Sequence, residues 1–90
     1  MGSNSIPVEM KVEICQRILE RAMEITDSTK HDIFVWYAPH VNTIEVHIHR
    51  GGWKTNKRCT TLDVDFGSEF DDVEGAVANI DAVLDTLENA

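Results

Sequence analysis

The sequence lacks the motifs that identify most enzymes. It contains no glycine-rich phosphate loop, no nucleophile elbow and no HExxH zinc motif. Its Ser, His and Asp residues occur at no spacing that predicts their convergence, and a chain of 90 residues has little core to spare for a pocket. We therefore predict a non-enzymatic protein that uses no cofactor.

Cysteine is scarce, and long apolar runs are missing. Cys15 and Cys59 are the two cysteines, and no CxxC or Cys/His spacing links them to a structural zinc site. Two unpaired thiols favour a reducing compartment, so we predict a cytoplasmic protein. No apolar run approaches the roughly 18 residues that a membrane span requires, and no charged and then apolar leader opens the chain. We therefore predict no membrane partner.

Basic residues are missing from the last third of the chain. The formal net charge is −8, and no Lys or Arg follows Arg58. Residues 59–90 hold nine of the sixteen acidic residues. This acidity disfavours nucleic acid and anionic membranes as partners, because both bind cationic surfaces, whereas it suits a basic protein partner.

Hydrophobic periodicity predicts five elements in the order α-β-β-β-α. Helices are predicted over residues 7–29 and 68–89, and strands over residues 32–38, 43–50 and 58–66. We predict an α+β fold with two layers, in which a three-stranded antiparallel meander carries both helices on one face. Residues 6–90 would form this single domain, and residues 1–5 a disordered N-terminus or the remnant of a tag. The apolar arcs of the two helices are Val8, Val12, Cys15, Ile18, Leu19, Ala22, Ile25 and Thr26 in the first, and Phe70, Val73, Val77, Ile80, Leu84 and Leu87 in the second.

The turn between the first two strands decides which side chains face the helices. If four residues separate Ala38 from Thr43, Phe34 and Trp36 lie on the open face of the sheet, beside His47 and Glu45. A loop one residue longer or shorter reverses the first strand. Exposed aromatic clusters usually mark an interface, so either outcome predicts a protein contact or a homodimer through the first strand. The alternative is a core that reaches around both sides of the sheet because a helix wraps the edge.

His47 and His49 project from one face of the second strand. Thr61 or Asp63 should lie across from His47 on the third strand. A cluster of His47, His49 and Asp63 is a candidate site for a divalent metal, whereas the simpler interpretation is a row of polar side chains on the solvent side of a sheet.

Two further segments carry concentrated charge. The loop 50–58 gathers four cations around Trp53 and could contact nucleic-acid phosphates and stack on a base, or dock on an acidic protein surface, or only offset nearby acids. The last helix carries a one-signed acidic row, which is either a solvated face or an imitation of phosphates for a basic partner. The residues concerned are Arg50, Lys54, Lys57 and Arg58 in the loop, and Asp71, Glu74, Asp81 and Asp85 in the helix.

Two resemblances add expectations to this interpretation. The element order resembles that of the double-stranded RNA-binding domain, which reads duplex phosphates with a lysine-rich start to its final helix; the matching residues here, 68–72, are acidic instead. The segment 31–53 also resembles small uncharacterised proteins of phages and prophages of Gram-positive bacteria. That likeness implies an intracellular phage protein of unknown activity. Short acidic phage proteins of similar topology include inhibitors of host nucleic-acid enzymes, so an inhibitory role is an expectation by analogy.

We therefore predict a non-enzymatic protein-interaction module. It would act through Phe34, Trp36, His47 and His49 on the open sheet face, through the Trp53 loop and through the acidic last helix. The alternative is a nucleic-acid-binding domain that uses the basic loop 50–58.

Overall fold

The computed structural model describes residues 6–53 and 59–88. Their order confirms the predicted α-β-β-β-α arrangement. The elements are α1 (Val8–Ser28), β1 (Asp32–Ala38), a single 3-10 turn (Pro39–Val41), β2 (Thr43–His49), β3 (Thr60–Asp65) and α2 (Phe70–Glu88).

Local hydrogen bonds explain where the helices begin and end. The Pro7 carbonyl accepts hydrogen bonds from the backbone N–H groups of Met10 and Lys11. Proline is also well suited to the start of a helix. Thr29 ends α1 by donating both its N–H and its hydroxyl to the Ile25 carbonyl. The last helix begins at Phe70, two residues later than predicted.

The three strands form one antiparallel sheet in the order β1-β2-β3. Ala38 pairs with Thr43, so the turn holds four residues, as one of the two predicted alternatives required. Asn42 closes this turn with a φ of 52°, a left-handed conformation that asparagine tolerates better than most residues. The paired residues of β1 and β2 include Phe34 with His47 and Trp36 with Glu45; those of β2 and β3 include His47 with Thr61 and Glu45 with Asp63.

Both helices cover the face of the sheet that carries Ile44, Val46 and Ile48. These three side chains of β2 are at most 1% exposed, which places them at the centre of the core. Helix α1 packs against β1 and against α2, and α2 packs against β3. The other buried core residues are Ile6, Ile18, Ala22, Ile25, Val64, Phe66, Val73, Ile80, Leu84 and Leu87.

The predicted apolar arc of α1 is wrong along one side. Ile18, Ala22 and Ile25 are buried as expected, but Val8, Val12 and Leu19 are exposed. Met10 and Ile14, which the predicted arc left out, pack on the core instead. The helix is therefore turned toward α2, and part of its apolar surface faces outward. In α2 the predicted arc is buried or partly buried except for Phe70, which is 44% exposed.

Neither described helix is apolar enough over sufficient length to cross a membrane.

Candidate interaction surfaces

The open face of the sheet presents two aromatic side chains, each packed on an imidazole. Trp36 and Phe34 are 45% and 41% exposed. The Trp36 and His47 rings lie 4.1 Å apart between centroids and are tilted by 34°, while Phe34 meets His49 edge to face at 5.2 Å. Cross-strand neighbours on one face of an antiparallel sheet come this close, so the predicted grouping of these four residues is confirmed.

His47 also joins two polar side chains on the same face. Its Nε2 atom lies 3.0 Å from Oε1 of Glu45, and its Nδ1 atom lies 4.0 Å from Sγ of Cys59. Sequence reasoning missed Cys59 in this cluster. The available signal was its position, two residues before Thr61, which the alternation of a strand places on the same face.

The structure does not support the hypothesis of a metal site at His47, His49 and Asp63. The two imidazoles pack on Trp36 and Phe34. Residues 6–53 and 59–88 contain no group of three or more His, Cys, Asp or Glu side chains that could hold a metal ion. The Nδ1 atom of His49 is buried without a hydrogen-bond partner within the described part of the chain.

The basic loop lies largely outside the described residues. Lys54, Lys57 and Arg58 belong to the segment 54–58, so the predicted nucleic-acid contact there remains a prediction. The described side of the loop is held by hydrogen bonds: Trp53 N–H donates to Oδ2 of Asp32 at 2.7 Å, and Arg50 donates to the Thr60 hydroxyl at 2.7 Å. The Trp53 side chain itself is 58% exposed.

The acidic row of α2 is partly neutralised from within the molecule. Asp81 accepts from both Arg17 and Arg21, and Arg21 also reaches Asp85 at 2.7 Å and Glu88 at 3.0 Å. Burial by itself lowers the pKa of Arg21, but its hydrogen bonds to Asp85, Asp81 and Glu88 outweigh that effect and raise the pKa above the ordinary value.

Asp81 and Asp85 of the predicted acidic row also bond to arginines of α1, and their contact with a partner stays a prediction. Both carboxylates join α1 to α2, and the Asp81 side chain is only 19% exposed. Asp71 and Glu74, one turn or more toward the start of α2, are exposed and keep the predicted outward position.

A further surface was not predicted, and we call it the β1-edge surface. The side chains of β1 that face the helices are Ile33, Val35 and Tyr37; the first two are only partly buried and Tyr37 is exposed. Beside them the outward flank of α1 carries an apolar stripe, of which Leu19 is 47% exposed. The stripe consists of Val8, Val12, Leu19 and Met23, whose spacing of four, seven and four residues places them along one line of a helix.

An apolar groove connects the two parts of this surface. It encloses about 270 Å³ between Tyr37 of β1 and the first half of α1, and its other walls include Val12, Cys15 and Gln16. Apolar side chains of β1 and α1 thus remain accessible to solvent along this groove, with Tyr37 and Val12 both 47% exposed.

On this side the backbone of β1 is hydrogen-bonded to other described residues at Ile33 but not at the N–H groups of Val35 and Tyr37. The Ile33 N–H donates to the Thr26 hydroxyl at 3.1 Å, which shows that the backbone N–H of Ile33 is directed away from β2. Alternation along an antiparallel strand then turns the N–H and C=O groups of Val35 and Tyr37 outward as well. No described residue hydrogen-bonds to the Val35 or Tyr37 N–H on that side. The predicted meander already made β1 an edge strand, but the sequence does not show which part of that edge other elements cover.

Comparisons with protein-family models, with curated proteins and with solved structures found no match.

Proposed function

We propose that this chain is a non-enzymatic protein-interaction module that acts as a homodimer joined through β1 and α1. The observation that carries the proposal is the set of exposed apolar side chains at the β1-edge surface. Exposed apolar surface beside an unpaired strand is costly for a monomer and is the usual template for strand addition. A small domain also gains from burying this surface, since its own core is thin.

A second copy fits this surface because the surface is self-complementary. Two β1 strands paired antiparallel about Trp36 would place Val35 of one copy opposite Tyr37 of the other. That register uses the outward N–H and C=O groups of Val35 and Tyr37 and leaves the bond from Ile33 to Thr26 intact. It also brings the two Trp36 side chains together on the open face.

The two-fold axis that passes through the pair of Trp36 residues can also relate the α1 stripes of the two copies. In an antiparallel pair of α1 helices centred between Cys15 and Gln16, Val8 would lie opposite Met23 of the second copy, and Val12 opposite Leu19. Cys15 and Gln16 border the groove that Tyr37 also lines, so one axis can serve both the helices and the strands. Isologous contacts of this kind give closed dimers.

The dimer would present Phe34 and Trp36 of both copies as one continuous aromatic surface. This surface supports a role in binding a further protein, as an accessory or inhibitory module. Exposed aromatics at the centre of a flat surface are frequent anchors of protein contacts.

The first test measures mass in solution by light scattering after size exclusion. We expect about twice the 10.1 kDa of one chain. Leu19→Glu places a charge in the proposed interface and should give a monomer. Phe70→Glu is the matched control, because Phe70 is 44% exposed on a different surface, and it should leave the mass doubled. A monomeric parent protein over a roughly hundredfold concentration range would overturn the proposal.

The second test fixes the register by cross-linking. Trp36→Cys should form an intermolecular disulfide on oxidation, because directly opposed residues of a non-hydrogen-bonded pair lie about 4.5 Å apart between Cα atoms. Phe34→Cys lies on the same face but away from the axis and should not cross-link to itself. Equal cross-linking of the two variants would contradict the proposed register.

The dependence of association on salt concentration distinguishes self-association from the other candidate contacts. Each copy carries a net charge of −8, so two copies repel and added salt should strengthen the dimer. An acidic surface bound to a basic partner, or a basic loop bound to an oligonucleotide, would be weakened by salt. Association that falls steeply as salt rises would count against the homodimer.

A further inference from the structure

Cys59, His47 and Glu45 form a chain of reactive groups on the open face of the sheet. Sγ of Cys59 lies 4.0 Å from Nδ1 of His47, and Nε2 of the same ring lies 3.0 Å from Oε1 of Glu45. The Thr61 hydroxyl lies 3.9 Å from the same sulfur. A nucleophile, a base and a group that orients the base thus lie next to one another, with Glu45 and His47 on β2 and Cys59 one residue before β3.

The contact with Glu45 determines how His47 can act. A carboxylate only accepts hydrogen bonds, so in neutral His47 the Nε2–H group donates a hydrogen bond to Oε1 of Glu45. In neutral His47 the lone pair is then on Nδ1, which is the atom that faces the Cys59 thiol. Trp36 packs against the ring with centroids 4.1 Å apart and helps to keep it in this orientation.

The other cysteine has the opposite surroundings. Cys15 is partly buried on α1, and this burial raises the pKa of its thiol, although nearby Lys11 acts in the other direction. Cys15 therefore stays a neutral thiol to higher pH than a free cysteine does. Cys59 is exposed and has an imidazole beside it. The two thiols of the chain provide an internal comparison.

We infer that Cys59 is a site of covalent modification by small disulfides and that His47 is the base for this reaction. The Cys59 thiol gives its proton to Nδ1 of His47, and the resulting thiolate attacks one sulfur of the disulfide. A new bond forms between Sγ and that sulfur while the original S–S bond breaks. The departing thiolate takes the proton from His47 and leaves as a thiol, so the exchange is balanced.

This inference is independent of the proposed homodimer. The three reacting groups lie on the open face, whereas the proposed contact uses the edge of β1 and the outward flank of α1. Glu45 and His47 also remain partly exposed, with 32% and 22% of their side chains accessible, so a small disulfide can reach the cluster.

The test treats the folded full-length chain with the disulfide 4,4′-dithiodipyridine and follows each cysteine by peptide mass spectrometry. At neutral pH we expect Cys59 to form the mixed disulfide at least about tenfold faster than Cys15. His47→Gln removes the base while keeping a polar side chain, and should slow Cys59 several-fold. The parent and the variant should also differ in how the rate depends on pH.

Glu45→Gln gives a second, milder variant, because its amide can still contact His47 but no longer stabilises the protonated ring. We expect a smaller loss of rate than in His47→Gln. Circular dichroism checks that both variants are folded, and in denaturant all forms should react alike. Equal Cys59 rates and equal pH profiles in the folded parent, His47→Gln and Glu45→Gln chains would overturn the inference.

Discussion

The two flanks of α1 differ in what lies beside them. Toward α2 the helix presents Arg17 and Arg21, which reach three carboxylates of the neighbouring helix. Toward the edge of β1 it presents an apolar stripe that includes Val12 and Leu19, both 47% exposed. One flank forms ion pairs with α2 of the same chain, and the other exposes apolar side chains to solvent. The proposed homodimer therefore uses the second flank.

The largest expected change in the free energy of unfolding comes from a comparison of two adjacent residues, one on the buried side and one on the outward side of α1. Ile18 is fully buried, whereas Leu19 is half exposed. Ile18→Ala should lower the free energy of unfolding by about 3 kcal/mol, because it leaves a cavity in the core. Leu19→Ala should cost less than about 1 kcal/mol when the protein is dilute.

Urea unfolding at low and high protein concentration measures both changes. The cost of Leu19→Ala should grow with concentration, since the stripe is buried only in the proposed dimer. A Leu19→Ala cost that is independent of concentration would show that this flank stays exposed.

An intermediate effect is expected on the flank that faces α2. Arg21→Met keeps the apolar stem of the side chain but removes the charge that Asp81, Asp85 and Glu88 share. We expect a loss of about 2 kcal/mol, because the Arg21 side chain is only 18% exposed and charged hydrogen bonds are strong.

Arg17→Met is the matched control for Arg21→Met. Its side chain is 62% exposed and bonds to Asp81 alone, so the loss should stay near about 0.5 kcal/mol. Thermal unfolding at low and at high salt can compare the two. Equal losses would mean that this flank is held by apolar packing and not by Arg21.

A smaller effect than that of Arg21→Met is expected at the one hydrogen bond described between α1 and the free edge of β1. Thr26→Val removes the hydroxyl that accepts from Ile33 N–H and should cost about 1 kcal/mol. Thr86→Val is its control, since the Thr86 hydroxyl bonds only to Val83 within α2. Hydrogen exchange at Ile33 should accelerate in the first variant and not in the second.

The sheet was largely predictable from the sequence. Alternation in β2 gave its buried face, but the sequence left two orientations of β1 open. The structure decides between them, because it shows a four-residue connection from Ala38 to Thr43. The pairing of Trp36 with Glu45 follows from those two facts alone.

The outward flank of α1 was not predictable in the same way. Periodicity identifies which residues of a helix share an arc, but not which part of that arc another element covers. Val8, Val12 and Leu19 were therefore assigned to the core, although α2 lies on the opposite flank. Long-range partners such as Arg21 and Asp81, which are 60 residues apart, leave no local pattern.

The far edge of the sheet has a consequence for the size of any assembly. Two copies joined at β1 would leave both β3 strands at the margins, where Asp63 and Asp65 are exposed. Carboxylates there discourage another strand from adding, because like charges would meet across the new pair. Growth should stop at a six-stranded sheet and should not continue into a filament.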